Sequence, residues 1–250
     1  MKVIFSLTTS PTRIGLISNV IESMMNQTVT PDLIRINIPK IFKRTGLRYE
    51  IPSFLTNNPK VKIVEYSEDC GPLMKVIPTI DEEKSSIVIY TDDDVLLLPK
   101  TIETYLKYLS INPNFVYCLT GFNFNGHNQW TNFEKTAFVT VPEGYMSVCL
   151  NPVVIDKFSS FADYYKVISQ DECCVASDDL ILGNFLALNK IYVYKIYDEF
   201  ANYDLWWSSG CELMYGTLGD ALKYLNGGNY SRYNKAYDFL VRNKLRGLKA

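Results

Sequence analysis

Residues 86–99 read SIVIYTDDDVLLLP, an apolar run followed by three acids and a second apolar run. The β-branched residues from Ile87 to Ile89 are typical of a strand that is buried on both faces of a sheet. Pro99 then begins a helix. Ligands of open α/β sheets bind beyond the carboxyl ends of the strands, so the pattern places Asp92, Asp93 and Asp94 at a candidate ligand site.

Strand-like runs alternate with helical patterns on both sides of this segment. The predicted strands are Lys2 to Leu7, Leu33 to Ile38, Val61 to Tyr66 and Phe115 to Thr120. One helical pattern starts at Ser10 and carries apolar residues at three- and four-residue steps from Ile14 to Met25, and a second follows Pro99. This alternation predicts an α/β fold with a mostly parallel sheet covered by helices.

The second half of the chain is less regular. Two segments, Phe138 to Val141 and Tyr145 to Leu150, indicate antiparallel strands. The remaining predicted elements are a helix with a Ser cap at Ser177 to Leu188, a strand at Ile191 to Ile196, a helix at Leu218 to Leu225 and a basic amphipathic helix within Ser231 to Ala250.

The composition is that of a soluble globular chain. Lys and Arg number 25 and Asp and Glu 27, a net charge of −2, with 47% hydrophobic residues. No basic excess favours nucleic acid as a partner. No apolar run approaches the roughly 20 residues that span a bilayer, and no signal peptide is recognised. One His and six Cys without two-residue spacers argue against a zinc site, and reduced thiols in a cytoplasmic protein are expected.

The three acids have two interpretations. Side chains two apart in an extended segment point the same way, so Asp92 and Asp94 would face one site while Asp93 turns elsewhere. Mg²⁺ or Mn²⁺, held by one or two carboxylates, would relieve their repulsion. The alternative is a solvated turn that caps the next helix. Because apolar residues flank the acids on both sides, uncompensated charge would be expensive there, which favours the metal site.

The chain resembles the GT-A fold glycosyltransferases, which bind a nucleotide-sugar diphosphate through a divalent ion. The residues that carry the resemblance are the strand followed by Asp92-Asp93-Asp94, the segment SLTTSPTRI at 6–14, the segment DCGP at 69–72 with Lys75, and Asp178-Asp179. The layout is also similar to glycosyltransferase domains that large DNA viruses of algae use to decorate capsid glycans. The resemblance implies a Rossmann-like, mostly parallel sheet with a smaller antiparallel part in the second half.

The resemblance also implies one domain over residues 1–250, with a nucleotide-binding half at 1–120 and an acceptor-binding half with C-terminal helices at 121–250. In the first half, Asp94 would ligate Mn²⁺ or Mg²⁺, Asp92 would contact the ribose or a metal-bound water, and Asp93 would contact the donor sugar. The implied nucleotide contacts are Thr8, Thr9, Arg13, Asp69 and Lys75. Arg13, Asp69 and Lys75 have a plainer interpretation as surface or turn residues.

In the second half, Asp179 is the first choice for the group that acts on the acceptor, with Asp178 beside it. Asp179 would be the general base if the anomeric configuration inverts, or would hold hydroxyl groups if it is retained. Acids at a helix start are also simple caps. Aromatic rings can stack on sugars, although core packing is their usual role. The candidate acceptor contacts are Trp130, Tyr145, Trp206 and Trp207.

The sequence therefore predicts a metal-dependent glycosyltransferase, of the hexosyl or deoxyhexosyl type. It would move a sugar from a nucleotide diphosphate donor, UDP-linked by preference, to a hydroxyl of a glycan or glycoconjugate. One alternative is a sugar-phosphate nucleotidyltransferase, but Thr8 to Arg13 replaces the Gly-rich loop that such enzymes carry. The other is a non-catalytic carbohydrate-binding or capsid-associated protein. The basic C-terminal helix is expected to pack on the domain, with peripheral membrane contact as the alternative.

Overall fold

A computed structural model of the chain describes residues 1–126, 130–131, 135–197 and 227–248. The predicted helix at Leu218 to Leu225 lies outside the described residues. Within the described part of the chain, no helix is long and apolar enough to span a membrane.

Within the described residues, and with strands numbered in chain order as bounded below, eight strands form the main sheet in the order β3-β2-β1-β4-β10-β5-β11-β8, and three more form a small sheet in the order β7-β6-β9. The strands are β1 Val3–Leu7, β2 Leu33–Pro39, β3 Val61–Tyr66, β4 Ile87–Tyr90, β5 Val116–Cys118, β6 Gly121–Phe124, β7 Trp130–Thr131, β8 Ala137–Val139, β9 Val141–Pro142, β10 Val148–Leu150 and β11 Val193–Lys195.

Most of the main sheet is parallel. The strands β3, β2, β1 and β4 pair in parallel, as do β5 and β11. The exceptions are β10, which runs antiparallel between β4 and β5, and β8, which is antiparallel to β11. The small sheet is antiparallel. The predicted α/β class is confirmed, with a mostly parallel sheet and a smaller antiparallel part in the second half.

Helices cover both faces of the sheet, and the two hydrophobic cores lie beneath them. The α-helices are α1 Ser18–Met25, α2 Ser53–Thr56, α3 Ile77–Glu82, α4 Thr101–Ile111, α5 Pro152–Ile155, α6 Phe161–Ile168, α7 Glu172–Val175, α8 Asp178–Leu188 and α9 Gly228–Arg242. Short 3₁₀-helices occupy Gly71–Lys75 and Asp156–Phe158.

The prediction that the first helix starts at Ser10 is wrong. Residues 11–17 form turns, and α1 begins at Ser18. Ile14 and Ile17 are nevertheless buried, so the apolar spacing is that of a buried turn as well as of a helix. Gly15 lies in the middle of this segment, and glycine disfavours helix by about 1 kcal/mol relative to alanine. The turns keep Arg13 close to the carboxyl end of β1.

The C-terminal helix packs on the domain, as the sequence predicted, in the hydrophobic core that also contains Phe122 and Phe124. Its apolar face buries Tyr233, Ala236, Tyr237 and Leu240. Lys235 and Arg242 are exposed, as the basic face requires. Arg232, a basic residue of the same helix, is buried, with only 4% of it exposed. Its guanidinium donates to Ser177 Oγ (3.3 Å) and to Asn229 Oδ1 (2.7 Å).

Helix α8 lies very close to the chain segment before β9. A Cβ atom on Gly183 would stand 2.7 Å from the carbonyl oxygen of Thr140, so only glycine permits this approach. The N-terminus of α8 is thereby held over the carboxyl ends of the central strands, where its two acidic residues meet the acids that follow β4.

Candidate active site

The three consecutive aspartates lie at the carboxyl edge of the sheet. The amide of Thr91 donates to the carbonyl oxygen of Ser6 (3.1 Å), which continues the pairing of β4 with β1 up to the acids. Asp93 and Asp94 then form a turn. The expected alternation, with Asp92 and Asp94 on one side and Asp93 on the other, does not occur because the segment is not extended here.

Arg13 binds two of the three acids. Its guanidinium lies 2.8 Å from Asp93 Oδ1 and 3.6 Å from Asp94 Oδ2. Burial, then the charges of Asp93 and Asp92, raise the pKa of Asp94 to about 7, although Arg13 and Lys75 oppose the shift. The other oxygen of Asp94, Oδ1, is buried and makes no hydrogen bond within the described residues. Arg13 therefore compensates the pair incompletely.

Lys75 joins the third acid to the second half of the chain. Its ammonium contacts Asp92 Oδ1 and lies 2.7 Å from Asp178 Oδ2, with only 3% of the side chain exposed. Burial alone would lower the pKa of Lys75, but the charges of Asp178, Asp92 and Asp179 outweigh burial and raise the pKa well above its usual value. The predicted diphosphate contact is thus an ion-pair bridge between two acidic segments in this structure.

A buried polar network fixes the backbone that carries Lys75. Ser6 Oγ donates to the carbonyl oxygen of Lys75 (2.6 Å), and Asn37 Nδ2 donates to that of Met74 (3.0 Å) and to Thr79 Oγ1 (2.8 Å). These hydroxyl and amide groups lie on strands β1 and β2, beneath the 3₁₀-helix that ends at Lys75. The position of the ammonium is therefore set by the sheet itself.

Gly144 connects the acids of β4 to those of α8. Its amide donates to Asp179 Oδ1 (2.8 Å), and its carbonyl oxygen accepts from the amide of Asp92 (3.2 Å). A Cβ atom at this position would stand 2.8 Å from Lys75 Nζ, so the absence of a side chain at Gly144 leaves room for the lysine side chain. Burial and the charge of Asp178 raise the pKa of Asp179 well above its usual range.

The predicted Ser cap of α8 does not form as expected. Ser177 stands at the N-cap but its side chain caps no amide of the helix; its hydroxyl accepts from Arg232 instead. Asp178 and Asp179 occupy the first turn, where the helix dipole favours negative charge. They also take part in the site through Lys75 and Gly144, so capping alone does not account for them.

The nucleotide contacts predicted near β1 lie together with one tyrosine that the sequence did not single out. The hydroxyl of Tyr49 donates to the carbonyl oxygen of the buried Thr9 (2.8 Å), while Thr8 is partly exposed. Asp69 accepts hydrogen bonds from the amides of Lys43 and Gly71, both at 2.8 Å. Asp69 thus closes a turn beside the site, and its contact with a base stays a prediction.

Of the four aromatic candidates, the structure describes the side chain of one. Tyr145 is partly buried next to Gly144, and its carbonyl oxygen accepts from Thr91 Oγ1 (3.3 Å). Trp130 lies in β7, opposite Phe124. Trp206 and Trp207 lie outside the described residues. The acceptor-binding role of these residues stays a prediction.

Glu143 is a site residue that sequence reasoning missed. It immediately precedes Gly144, and burial raises its pKa to about 7, which Asp92 reinforces and Lys195 opposes. Lys195 is a buried cation on β11. A lone glutamate in an irregular segment carries no local signal, so only the tertiary structure reveals its position.

The site has an excess of negative charge. Five aspartates meet two cations, Arg13 and Lys75, which leaves three negative charges unbalanced when all are ionised. Among the described residues, no group of three or more His, Cys, Asp or Glu side chains is arranged to hold a metal ion.

No protein-family model matches the chain, and no curated protein matches it. Among solved structures, the chain is similar to residues 1–349 of TarS from S. aureus, solved with UDP, alone and with UDP-GlcNAc. The respective identities are 12%, 11% and 12%, and the TM-scores are 0.46, 0.47 and 0.46. Each match covers 79% of this chain and 58%, 58% and 56% of the other. A likeness this weak says nothing about what this chain binds. The narrower resemblance to viral capsid-glycan enzymes stays a prediction.

Proposed function

We propose that this protein is a metal-dependent glycosyltransferase that transfers a sugar from a nucleotide diphosphate donor, preferably UDP-linked, to a hydroxyl group of a glycan or glycoconjugate. The observation that carries the proposal is the excess of carboxylates where the carboxyl end of β4 meets the start of α8. Uncompensated carboxylates in a partly buried site are costly, and a divalent cation with its diphosphate is a ligand of the right charge and chemistry.

The donor set fits Mg²⁺ or Mn²⁺. Asp94 offers a buried oxygen, Oδ1, that makes no hydrogen bond within the described residues, and Asp92 is 38% exposed although Lys75 contacts one of its oxygens. Hard carboxylate oxygens suit these ions. When bound, the ion would neutralise charge that develops on the leaving diphosphate.

The chain's own residues have distinct tasks in this proposal. Arg13 orients Asp93 and Asp94 through its two ion pairs, and Lys75 keeps Asp92 next to the acids of α8. Asp179 would act on the acceptor hydroxyl, as base or as hydrogen-bond acceptor. Its raised pKa means that it holds a proton more tightly than an ordinary aspartate, which makes it a stronger base toward the acceptor hydroxyl.

Thermal-shift measurements with nucleotides test the proposal. UDP with Mn²⁺ should raise the unfolding temperature of the wild type more than UDP alone, because a ligand that binds only the folded state stabilises it. Asp94→Asn should lose the Mn²⁺-dependent part of the shift. Asp156→Asn, at an exposed acid in the Asp156–Phe158 turn, is the matched control and should behave like the wild type.

A panel of UDP, GDP, CDP and ADP, each with and without Mn²⁺, identifies the base. The absence of a metal-dependent shift with every nucleotide would refute the proposal. A transferase slowly hydrolyses its nucleotide sugar when water takes the place of the acceptor. Release of free sugar therefore distinguishes an enzyme from a non-catalytic carbohydrate-binding protein.

A further inference from the structure

We propose that Glu143 recognises a hydroxyl group of the transferred sugar and so helps to determine the donor specificity of this site. The inference rests on the proposed function and extends it to a residue that the acidic motifs do not include.

The main chain of Glu143 is held firmly beside the acids. Its amide donates to the carbonyl oxygen of Thr120 (3.1 Å), and its own carbonyl oxygen accepts from Thr120 Oγ1 (3.4 Å). The next residue, Gly144, is bonded to both Asp92 and Asp179. The Glu143 side chain therefore starts from a fixed position between β5 and the two acidic segments.

The carboxyl group of Glu143 interacts electrostatically with buried groups on β5 and α9. Glu143, Lys195 and Asp179 all act on the buried thiol of Cys118 at the end of β5, where each carboxylate raises the pKa of the thiol and the lysine lowers it, burial being the main cause of the shift. Burial is the main cause that raises the pKa of the Tyr233 hydroxyl in α9, and the charges of Asp179 and Glu143 raise it further. Glu143 is therefore the neighbour of the residue that binds Asp179, Gly144, and it interacts electrostatically with Tyr233 of α9.

Among the described residues of the site, Glu143 is the acid whose carboxylate has no hydrogen-bond or ion-pair partner. Asp93 and Asp94 pair with Arg13, Asp92 and Asp178 pair with Lys75, and Asp179 accepts from Gly144. Within the described residues, the Glu143 carboxylate makes no hydrogen bond and no ion pair closer than 4.0 Å. A partly buried carboxylate without partners favours a ligand that donates hydrogen bonds.

The residues predicted to bind the nucleotide lie at the other end of the acidic segment from Glu143. Arg13 and Tyr49 lie with Thr9 and Asp93, at the β1 end of the acidic segment. Glu143 lies beyond Asp92 in the opposite direction, towards β5 and β11. A donor whose diphosphate is held at Asp92 and Asp94 and whose nucleoside lies near Thr9 would extend its sugar towards Glu143 and Asp179. Vicinal hydroxyls of a sugar ring can both donate to one carboxylate.

The test compares binding of UDP with binding of UDP-glucose, UDP-galactose and UDP-GlcNAc by calorimetry in the presence of Mn²⁺. The measured quantity is the ratio of the Kd of each UDP-sugar to the Kd of UDP. Glu143→Gln keeps the size of the side chain but removes the charge, and should raise this ratio for at least one sugar by roughly 10- to 100-fold, because a hydrogen bond to a charged group is lost. The affinity for UDP itself should stay within about 2-fold, since the proposal places Glu143 next to the sugar and away from the nucleotide.

Glu22→Gln provides the matched control, because Glu22 is an exposed glutamate on α1 that makes no contact with the acids of the site among the described residues. An unchanged ratio for every sugar in a variant that binds UDP overturns this inference alone, as does an equal loss of affinity for UDP and for the UDP-sugars. Absence of UDP binding by the wild type would instead refute the proposed function, and this inference with it. The unfolding temperature of Glu143→Gln, measured without ligand, shows that the variant is folded.

Discussion

Replacing Lys75 with methionine should strongly destabilise the metal-free protein. The ammonium is almost fully buried, contacts Asp92 and lies 2.7 Å from Asp178. Methionine retains much of the length and apolar volume of the lysine stem but carries no charge. The substitution therefore leaves Asp92, Asp178 and Asp179 next to one another with no cation between them.

The size of the effect follows from the geometry. At an effective dielectric constant of about 20, unit charges at the Lys75–Asp178 separation of 2.7 Å attract each other by about 6 kcal/mol. Desolvation of the lysine offsets part of this attraction. Removing one partner of a buried ion pair typically costs about 3–5 kcal/mol, so we expect a loss of that size in the free energy of unfolding at pH 7.

Urea denaturation of the metal-free protein at pH 7 and pH 5 measures the effect. The loss should be smaller at pH 5, because Asp94, whose pKa is raised to about 7 and is lowered in part by Lys75, takes up a proton between these pH values and removes part of the repulsion. Lys157→Met, at an exposed lysine, is the control and should leave the free energy of unfolding unchanged. A Lys75→Met variant as stable as the control, or one with the same deficit at both pH values, would refute the electrostatic reasoning.

Three further predictions concern the same region and the C-terminal segment. Gly144→Ala places a Cβ atom 2.8 Å from Lys75 Nζ and 3.1 Å from the Tyr90 ring, so it should displace the lysine, cost about 1–3 kcal/mol and reduce sugar transfer; a variant with full activity would contradict this. Burial raises the pKa of Glu143 to about 7, so the folded state binds a proton that the unfolded state releases near pH 4.5; this group should therefore lower stability by at most about 3 kcal/mol as the pH rises from 4.5 to 7. Denaturation of Glu143→Gln across that range should show a weaker fall than the wild type, and identical curves would disprove the assignment. Asn184→Ala removes an amide that donates to Tyr164 Oη (3.0 Å) and to the carbonyl oxygen of Leu245 (2.7 Å) and accepts from the amide of Gly247 (2.7 Å). It should cost about 1–3 kcal/mol and speed hydrogen exchange at Gly247, and unchanged exchange there would count against the role of Asn184 in holding the C-terminal segment.

Much of the sheet could be predicted because its signals are local. The apolar run of β4 is buried on both faces, and the segments at Val61–Tyr66 and Thr101–Ile111 form the expected strand and helix. The start of α1 was predicted too early, since apolar residues at helical spacing are also buried in a turn. Burial alone does not distinguish these two conformations.

The sequence identified most residues of the candidate site, but it did not predict which of them contact each other. The motifs predicted Arg13, Lys75 and the aspartates as site residues. The ion pairs of Arg13 with Asp93 and Asp94, and of Lys75 with Asp92 and Asp178, are seen only in the structure. These pairs join segments that are distant in the chain, and opposite charges select partners by distance in space. Spacing within a motif therefore does not reveal them.

The sequence by itself determined the α/β class and the placement of three acids at the carboxyl end of a buried strand, because hydrophobic periodicity and strand direction are properties of neighbouring residues. The tertiary structure alone decided that Gly144 would bond to both Asp92 and Asp179, that Arg232 would be buried, and that Glu143 would face the same site. These contacts depend on how α8 meets the loop between β9 and β10 on one side and α9 on the other. That meeting is set by the packing of the whole core, which no short segment of the chain encodes.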